Sequence, residues 1–276
     1  MFWQTCIIYD IMRLKSFQNQ IVMKVNLMFD FKGKNCIVTG AAGSIGRAVT
    51  EIIIECGGNV WGLDADGQTL EQMAKELPKA QFTWRNIDLS SPDVISEVFS
   101  DIITCCGTLH GLVNCVGILS TAPLEEVSLA EWDRVIAVNL TGVFTAIQTV
   151  FPHMKNNLYG RIVNVSSVAG KLGGGLLGRC AYATSKAGLN GLTKVVAKEG
   201  GPYGVCCNAV CPGWTDSRMV NHLMDEANTA RIGNMVSLHR PATPREAAWP
   251  VVFLLSDEAG YINGEITDVD GGLVFD

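Results

Sequence analysis

The stretch Cys36-Ile37-Val38-Thr39-Gly40-Ala41-Ala42-Gly43-Ser44-Ile45-Gly46-Arg47 carries the reading of the fold. An apolar, strand-like run enters a glycine-rich turn, and helical spacing continues from Arg47 to Cys56. A strand, a glycine turn and a helix in this order can open a dinucleotide-binding sheet. The glycines let the backbone approach a pyrophosphate, and the helix N-terminus attracts it through its free N–H groups. A tight turn with no ligand would also use glycine, so the rest of the chain has to choose.

Downstream of the turn, strand-like runs alternate with helical patterns. They are Asn59–Leu63, Gln81–Trp84, Gly111–Asn114, Arg161–Val165, Val205–Val210 and Glu265–Val269. Runs that are apolar on both faces and separated by helices predict a parallel sheet covered on both sides. Two of the longer helical patterns run from Glu131 to Met154 and from Tyr182 to Glu199. Ser128-Leu129-Ala130-Glu131 and Thr243-Pro244-Arg245-Glu246 have capping-box spacing, the second with proline in the first helical position. The expected class is α/β: a doubly wound, Rossmann-like parallel sheet of about seven strands with helices on both faces.

Composition agrees with this class and excludes others. The chain has 276 residues, 48% hydrophobic and 17% charged, enough apolar material for one large core and too much for disorder. Its net charge of −6, with no basic patch, argues against nucleic acid and anionic membranes as partners. No apolar run approaches the ~20 residues of a membrane span. The ten cysteines include no Cys-x-x-Cys pair and no histidine at zinc-finger spacing, so neither a metal site nor a disulfide framework is expected. Reduced thiols fit a cytoplasmic protein. No linker or repeat divides residues 29–276, which read as one domain. Residues 1–28 read as an extension of unknown role. Asp10 interrupts its apolar Cys6–Tyr9 run, no basic residue precedes that run, and Met23 and Met28 offer later starts.

Asp64 ends the second run, where an acidic residue hydrogen-bonds the adenosine ribose and repels a 2′-phosphate. A solvated turn aspartate is the plain alternative, since Asp66-Gly67 is turn-like. Arg47 dissents, because an arginine here accommodates that phosphate unless it is simply an exposed helix residue. Further on, Tyr182 and Lys186 stand four apart on one helix face. Gly160–Ser167 ends a strand in paired serines, where an open α/β sheet places its ligands.

The whole order resembles the short-chain dehydrogenase/reductase family: Thr39-Gly40…Gly46, Asn114-x-x-Gly117, strand then Ser167, Tyr182-x-x-x-Lys186, and Pro212-Gly213. The likeness runs from about Phe29 to Asp270-Gly271-Gly272. It implies a hydride-transferring oxidoreductase of secondary alcohols or ketones. Tyr182 would be the general acid/base, Lys186 would lower the tyrosine pKa and hold the nicotinamide ribose, and Ser167 would hydrogen-bond the substrate oxygen. Asn139 would hold a proton-relay water, and Ser166 would be structural. The implied cofactor contacts are Gly40, Ser44, Ile45, Gly46, Asp64, Asp88, Leu89, Asn114, Gly117, Tyr182, Lys186, Pro212, Gly213, Thr215 and Ser217. Asp64 makes NAD the expected cofactor and NADP the less favoured one.

Three departures stand out. Ser44 replaces a glycine and is expected to cap the helix. Cys115-Val116 replaces a smaller pair that carries an amide. Lys171–Gly178 is glycine-rich and is expected to be a mobile border of the substrate site. Trp214 and Met219 belong to the variable segment reaching Arg240, expected to line the substrate site or to pack the core edge. Polyol, hydroxysteroid and 3-oxoacyl thioester substrates all stay open, with Asp64 weighing against the last because such reductases usually favour NADPH. A nucleotide-binding sensor without turnover is the alternative class. The family's usual assembly implies a homodimer or homotetramer through the two long helices.

Overall fold

The computed structural model describes residues 29–174 and 176–275, so the N-terminal extension, Gly175 and Asp276 lie outside the described residues. Seven strands form one sheet: β1 (Asn35–Thr39), β2 (Asn59–Asp64), β3 (Phe82–Asn86), β4 (Gly111–Asn114), β5 (Gly160–Val165), β6 (Val205–Pro212) and β7 (Ile266–Val269). Their order is β3-β2-β1-β4-β5-β6-β7, and each neighbouring pair is parallel. The order reverses between β1 and β4, which opens a crevice at the strands' C-terminal ends.

Side chains of β1 alternate between two cores, as a strand buried on both faces requires. Cys36 and Val38 join one core with Val49, Ile52 and Ile53 of α1 (Ser44–Glu55). Ile37 joins the other with Phe99 and Ile102. The remaining helices are α2 (Gly67–Glu76), α3 (Pro92–Cys106), α4 (Leu129–Ile136), α5 (Gly142–Asn156), α6 (Ala169–Leu172), α7 (Cys180–Gly200), α8 (Arg218–Asn221), α9 (Glu226–Met235) and α10 (Pro244–Leu255). Helices α1 and α10 cover one face; α3, α5 and α7 cover the other.

The predicted helix from Glu131 to Met154 is interrupted. Residues Ala137–Thr141 form a π-turn joining α4 to α5. At its end, a Cβ on Gly142 would lie 2.0 Å from the Leu89 carbonyl oxygen, so only glycine lets the rod pass the β3–α3 connection. Leu129–Asn156 spans 28 residues and is long and apolar enough to cross a membrane by length and composition, which the sequence reading did not anticipate. Packing on the sheet explains that character: Val143, Ala146, Ile147 and Val150 belong to the core.

Both expected caps form, though not equally. Thr243 and Glu246 make a complete capping box on α10. Ser128 accepts from the Glu131 N–H at 3.1 Å, but the Glu131 carboxylate takes the Ser120 hydroxyl instead of closing the box. The expectation for Ser44 is corrected. Helix α1 begins at Ser44 itself, and Gly43 is the N-cap with no side-chain bond.

Candidate active site

Strand β5 and helix α7 position the reactive side chains. At the end of β5, the Ser166 hydroxyl turns inward and donates to the Lys186 carbonyl at 3.1 Å. Ser167 stays partly exposed, and its Oγ accepts from the Ala169 N–H at 3.1 Å. One strand residue therefore ties down α7 and the next remains beside the cavity. Tyr182 and Lys186 lie one turn apart on α7, and with Ser167 they line a cavity of about 110 Å³. Pro212, Gly213, Thr215 and Ser217, beyond β6, complete its far wall, with Ile45, Gly117 and Met219 at its edges.

The electrostatics correct one expectation. Apolar burial holds the Tyr182 phenol above the ordinary tyrosine value, and its hydrogen bond with Ser167 pulls the other way without prevailing. Lys186 does not lower it as expected. Its own ammonium is desolvated, which pushes its pKa down to about 8, and Nζ donates to the Val165 carbonyl at 2.8 Å. Nζ lies 5.9 Å from the Tyr182 ring centroid. Cys115, one of the departures, lines this cavity as a neutral thiol whose pKa burial pushes up to about 12.

Glycines shape the approach to these groups. A Cβ on Gly178 would sit 2.2 Å from Tyr182 Cδ1, and one on Gly117 would sit 3.3 Å from Lys186 Nζ. Gly170 passes equally close to the α7 backbone at Lys186. In the segment expected to be a mobile border, Gly178 therefore serves tight packing against α7, whereas a Cβ on Gly173 would meet nothing within 4 Å. The Arg179 N–H donates to the Ser120 carbonyl at 2.9 Å, anchoring that segment's end.

Asn139 is 0% exposed in the π-turn, with its side chain bonded on both sides. Oδ1 accepts from the Ile118 N–H at 2.8 Å, and Nδ2 donates to the Ile118 carbonyl at 3.0 Å and to Ser185 Oγ at 3.1 Å. Its amide braces the strand-β4 exit against α7, with both Nδ2 hydrogens in use.

A second, larger cleft of about 380 Å³ extends from the glycine-rich turn across the order reversal. Gly40, Asp64, Asp88, Leu89 and Gly117 line it. Gly40 has φ +67°, and a Cβ there would meet the Cys115 carbonyl carbon at 2.7 Å. Gly46 does not line the cleft; a Cβ there would lie 2.1 Å from the Gly40 oxygen, so its role is close helix–turn packing. Ser44 also faces elsewhere, accepting from the Arg218 N–H at 3.3 Å. The Asn114 side chain lies in the sheet, donating to Asn164 Oδ1 at 2.9 Å because β4 and β5 pair these residues. Trp214 lines a separate cavity with Leu238 and Arg240 and is not among the residues lining the Tyr182 cavity, as the core-edge alternative has it.

These residues fit a dinucleotide. Helix α1 has no side-chain cap, which leaves its first N–H groups available to phosphate. Asp64 closes β2 with Oδ2 accepting from the Ala42 N–H at 3.0 Å and Oδ1 from the Asp66 N–H at 2.9 Å. Thr215 Oγ1 is buried on the cavity wall without a hydrogen-bond partner among the described residues, at a residue exposure of 5%. Arg47, the dissenting arginine, is held by Glu51 and Glu76. Arg218, which no sequence signal singled out, reaches over the cleft rim to the Ala42 carbonyl.

Comparison with known proteins adds family context to this geometry. A family model described as enoyl-(acyl carrier protein) reductase matches residues 40–274. The 3-oxoacyl-[acyl-carrier-protein] reductase FabG of Thermotoga maritima is 38% identical over 246 residues, 88% of this chain and 98% of that protein. The acetoacetyl-CoA reductase of Shinella zoogloeoides is 34% identical over 240 residues, 87% of this chain and 98% of the relative. The crystal structure of 3-oxoacyl-[acyl-carrier protein] reductase from Brucella melitensis superposes with a TM-score of 0.83 at 32% identity, covering 90% of this chain and 93% of that one.

Proposed function

Because the chain belongs to the short-chain dehydrogenase/reductase family, we propose that it is an oxidoreductase moving a hydride between nicotinamide and a ketone or secondary alcohol, with NAD preferred. The observation that carries this reading is the convergence of Ser167, Tyr182 and Lys186 on one cavity walled by the Pro212–Ser217 segment. A nucleotide-binding sensor would have no use for all three, and nothing in the geometry favours it.

The bound nicotinamide would supply or accept the hydride. Tyr182, kept protonated by its apolar surroundings, gives its phenolic proton to the ketone oxygen during reduction. Ser167 orients that oxygen and stabilises its developing charge. Lys186, protonated below about pH 8, would hold the nicotinamide ribose. Thr215 and Ser217 would hold the nicotinamide end, Gly40 and the α1 N-terminus would hold the pyrophosphate, and Asp64, Asp88 and Leu89 would hold the adenosine.

Among ketones, a 3-oxoacyl thioester is the substrate reading favoured by the relatives' names, and it carries more weight than the cofactor argument set against it. The same reading takes residues 29–276 as one cytoplasmic domain. Leu129, Phe144 and Val195 leave exposed apolar side chains along α4, α5 and α7, which supports a homodimer or homotetramer through these helices. A panel of 3-oxoacyl thioesters, cyclic ketones and polyols, followed by nicotinamide absorbance, tests the function. Turnover of at least one ketone is expected, and inactivity across the panel with both NADH and NADPH would contradict the reading.

A further inference from the structure

Tyr182 stands where helices are weakest. It is the third residue of α7, and the N-cap, Arg179, makes no side-chain capping bond among the described residues. First-turn N–H groups have no partner inside their own helix, so an uncapped first turn frays unless it is held from outside. The Ala183 N–H, donating to the Arg179 carbonyl at 2.8 Å, closes this turn. Holds from outside come from the connection between β4 and α4. Its Ser120 carbonyl accepts from the Arg179 N–H at 2.9 Å, one residue ahead of the helix. Its Ile118 is bonded to Asn139, whose Nδ2 donates to Ser185 Oγ, and that hydroxyl donates to the Tyr182 carbonyl at 2.7 Å.

The hold at Ser120 leads to a carboxylate. Ser120 is 2% exposed, so its hydroxyl needs a partner inside the fold, and it donates to Glu131 Oε1 at 2.7 Å. Glu131 is the third residue of α4, where capping-box spacing would turn its carboxylate back onto the Ser128 N–H. At the same spacing on α10, Thr243 and Glu246 close their box on both sides. Glu131 reaches across to Ser120 instead, which exchanges a bond within α4 for one that fixes the connection leading to α7. Glu131 is not among the residues lining either the Tyr182 cavity or the larger cleft.

We infer that Glu131 is a positioning residue: through Ser120 it fixes the first turn of α7, and with it the place of the Tyr182 hydroxyl beside Ser167. The inference rests on the reading of Tyr182 as the proton donor and extends it to a side chain that touches no reacting atom. A displacement of about 1 Å in a reacting group can cost about a hundredfold in rate, so a loosened first turn is felt in kcat. Nucleotide affinity, set on the β1–β2 side of the crevice, changes little.

A double-mutant cycle on the full chain, with a ketone that the wild type turns over, tests this. Glu131→Ala and Ser120→Ala should each lower kcat by about tenfold, the order of one charge-assisted bond, with NADH affinity kept within about twofold. The double variant should be no slower than the slower single one, because both substitutions remove the same link. Glu131→Gln still offers an oxygen to Ser120 and should keep kcat within about threefold of wild type. Hydrogen exchange at the Arg179 N–H should quicken in both alanine variants and not in Glu131→Gln. Should Glu131→Ala fail to fold, Ser120→Ala decides alone, since it removes the link and leaves Glu131 free to close the box on Ser128. Unchanged kcat in folded Ser120→Ala, or losses that multiply in the double variant, overturns the inference and leaves the proposed function standing. A wild-type chain inactive with every ketone overturns the proposed function, and the inference with it.

Discussion

The two halves of the crevice are built on different principles. Around β5 and α7, side chains do the positioning: Ser166 holds α7, Asn139 holds the β4 exit, and Lys186 is buried with its ammonium on a backbone carbonyl. Around β1 and β2, the backbone does it, through glycines that pass within contact of one another and amides that grip Asp64. The first half carries a single charge, on Lys186, that burial destabilises. The second has the more exposed side chains and carries Asp64, Asp66, Asp88 and Arg218 at its rim. Chemistry that moves a proton suits the buried half, where charge is less masked by water. Recognition of a charged nucleotide suits the exposed half, where polar groups can exchange partners cheaply.

The sharpest way to test that contrast is to remove the buried charge. Lys186 titrates near pH 8 when folded and near 10.5 when unfolded, so below pH 8 its burial cost is fully present. Between those values the unfolded chain binds more protons, and stability rises with pH through that window. Lys186→Met removes the cost, worth roughly 3 kcal/mol at pH 7, less about 1 kcal/mol for the lost bond to Val165. Urea unfolding at pH 7 and pH 10 should show the variant's advantage shrinking as pH rises. An advantage independent of pH would mean that the lysine is not desolvated.

A smaller effect is expected in the exposed half. Asp64→Ala should weaken NADH binding by about tenfold and leave NADPH binding unchanged or tighter, as fluorescence titration would record. Equal losses for both would mean that Asp64 braces only the turn. The smallest effect is expected outside both halves. Trp214→Ala should keep KM for a ketone substrate within about twofold, because the indole lines a separate cavity. A large KM change would return Trp214 to the substrate site.

How much of this the amino-acid order disclosed follows the same divide. The parallel sheet was legible because its strands are apolar on both faces, and the order of motifs located Ser167, Tyr182 and Lys186 in the chain. Their common cavity is a property of the fold. What spacing could not disclose was where side chains end. Asn114 and Asn139 stand at positions that suggest ligand contact, but β-pairing turns one toward Asn164 and the π-turn turns the other onto Ile118. Trp214 sits in the variable segment, where spacing leaves open which cavity its ring lines. Ser44 looks like a cap from its neighbours, yet Gly43 takes that position and Ser44 is already helical. Arg218 was invisible because its meaning depends on α8 folding back over Ala42, a contact between distant parts of the chain. The glycine-rich Lys171–Gly178 segment suggested motion, whereas Gly178 is needed simply to clear the Tyr182 ring.

The central claim is that the Tyr182 hydroxyl, and nothing else in the cavity, passes the proton. Comparing wild type with Tyr182→Phe tests it: nicotinamide absorbance reports turnover of a ketone, and fluorescence reports NADH affinity in the same samples. Loss of about 10²–10⁴-fold in turnover with nearly unchanged NADH affinity is the result expected for a general acid. Full turnover in the phenylalanine variant would contradict the account.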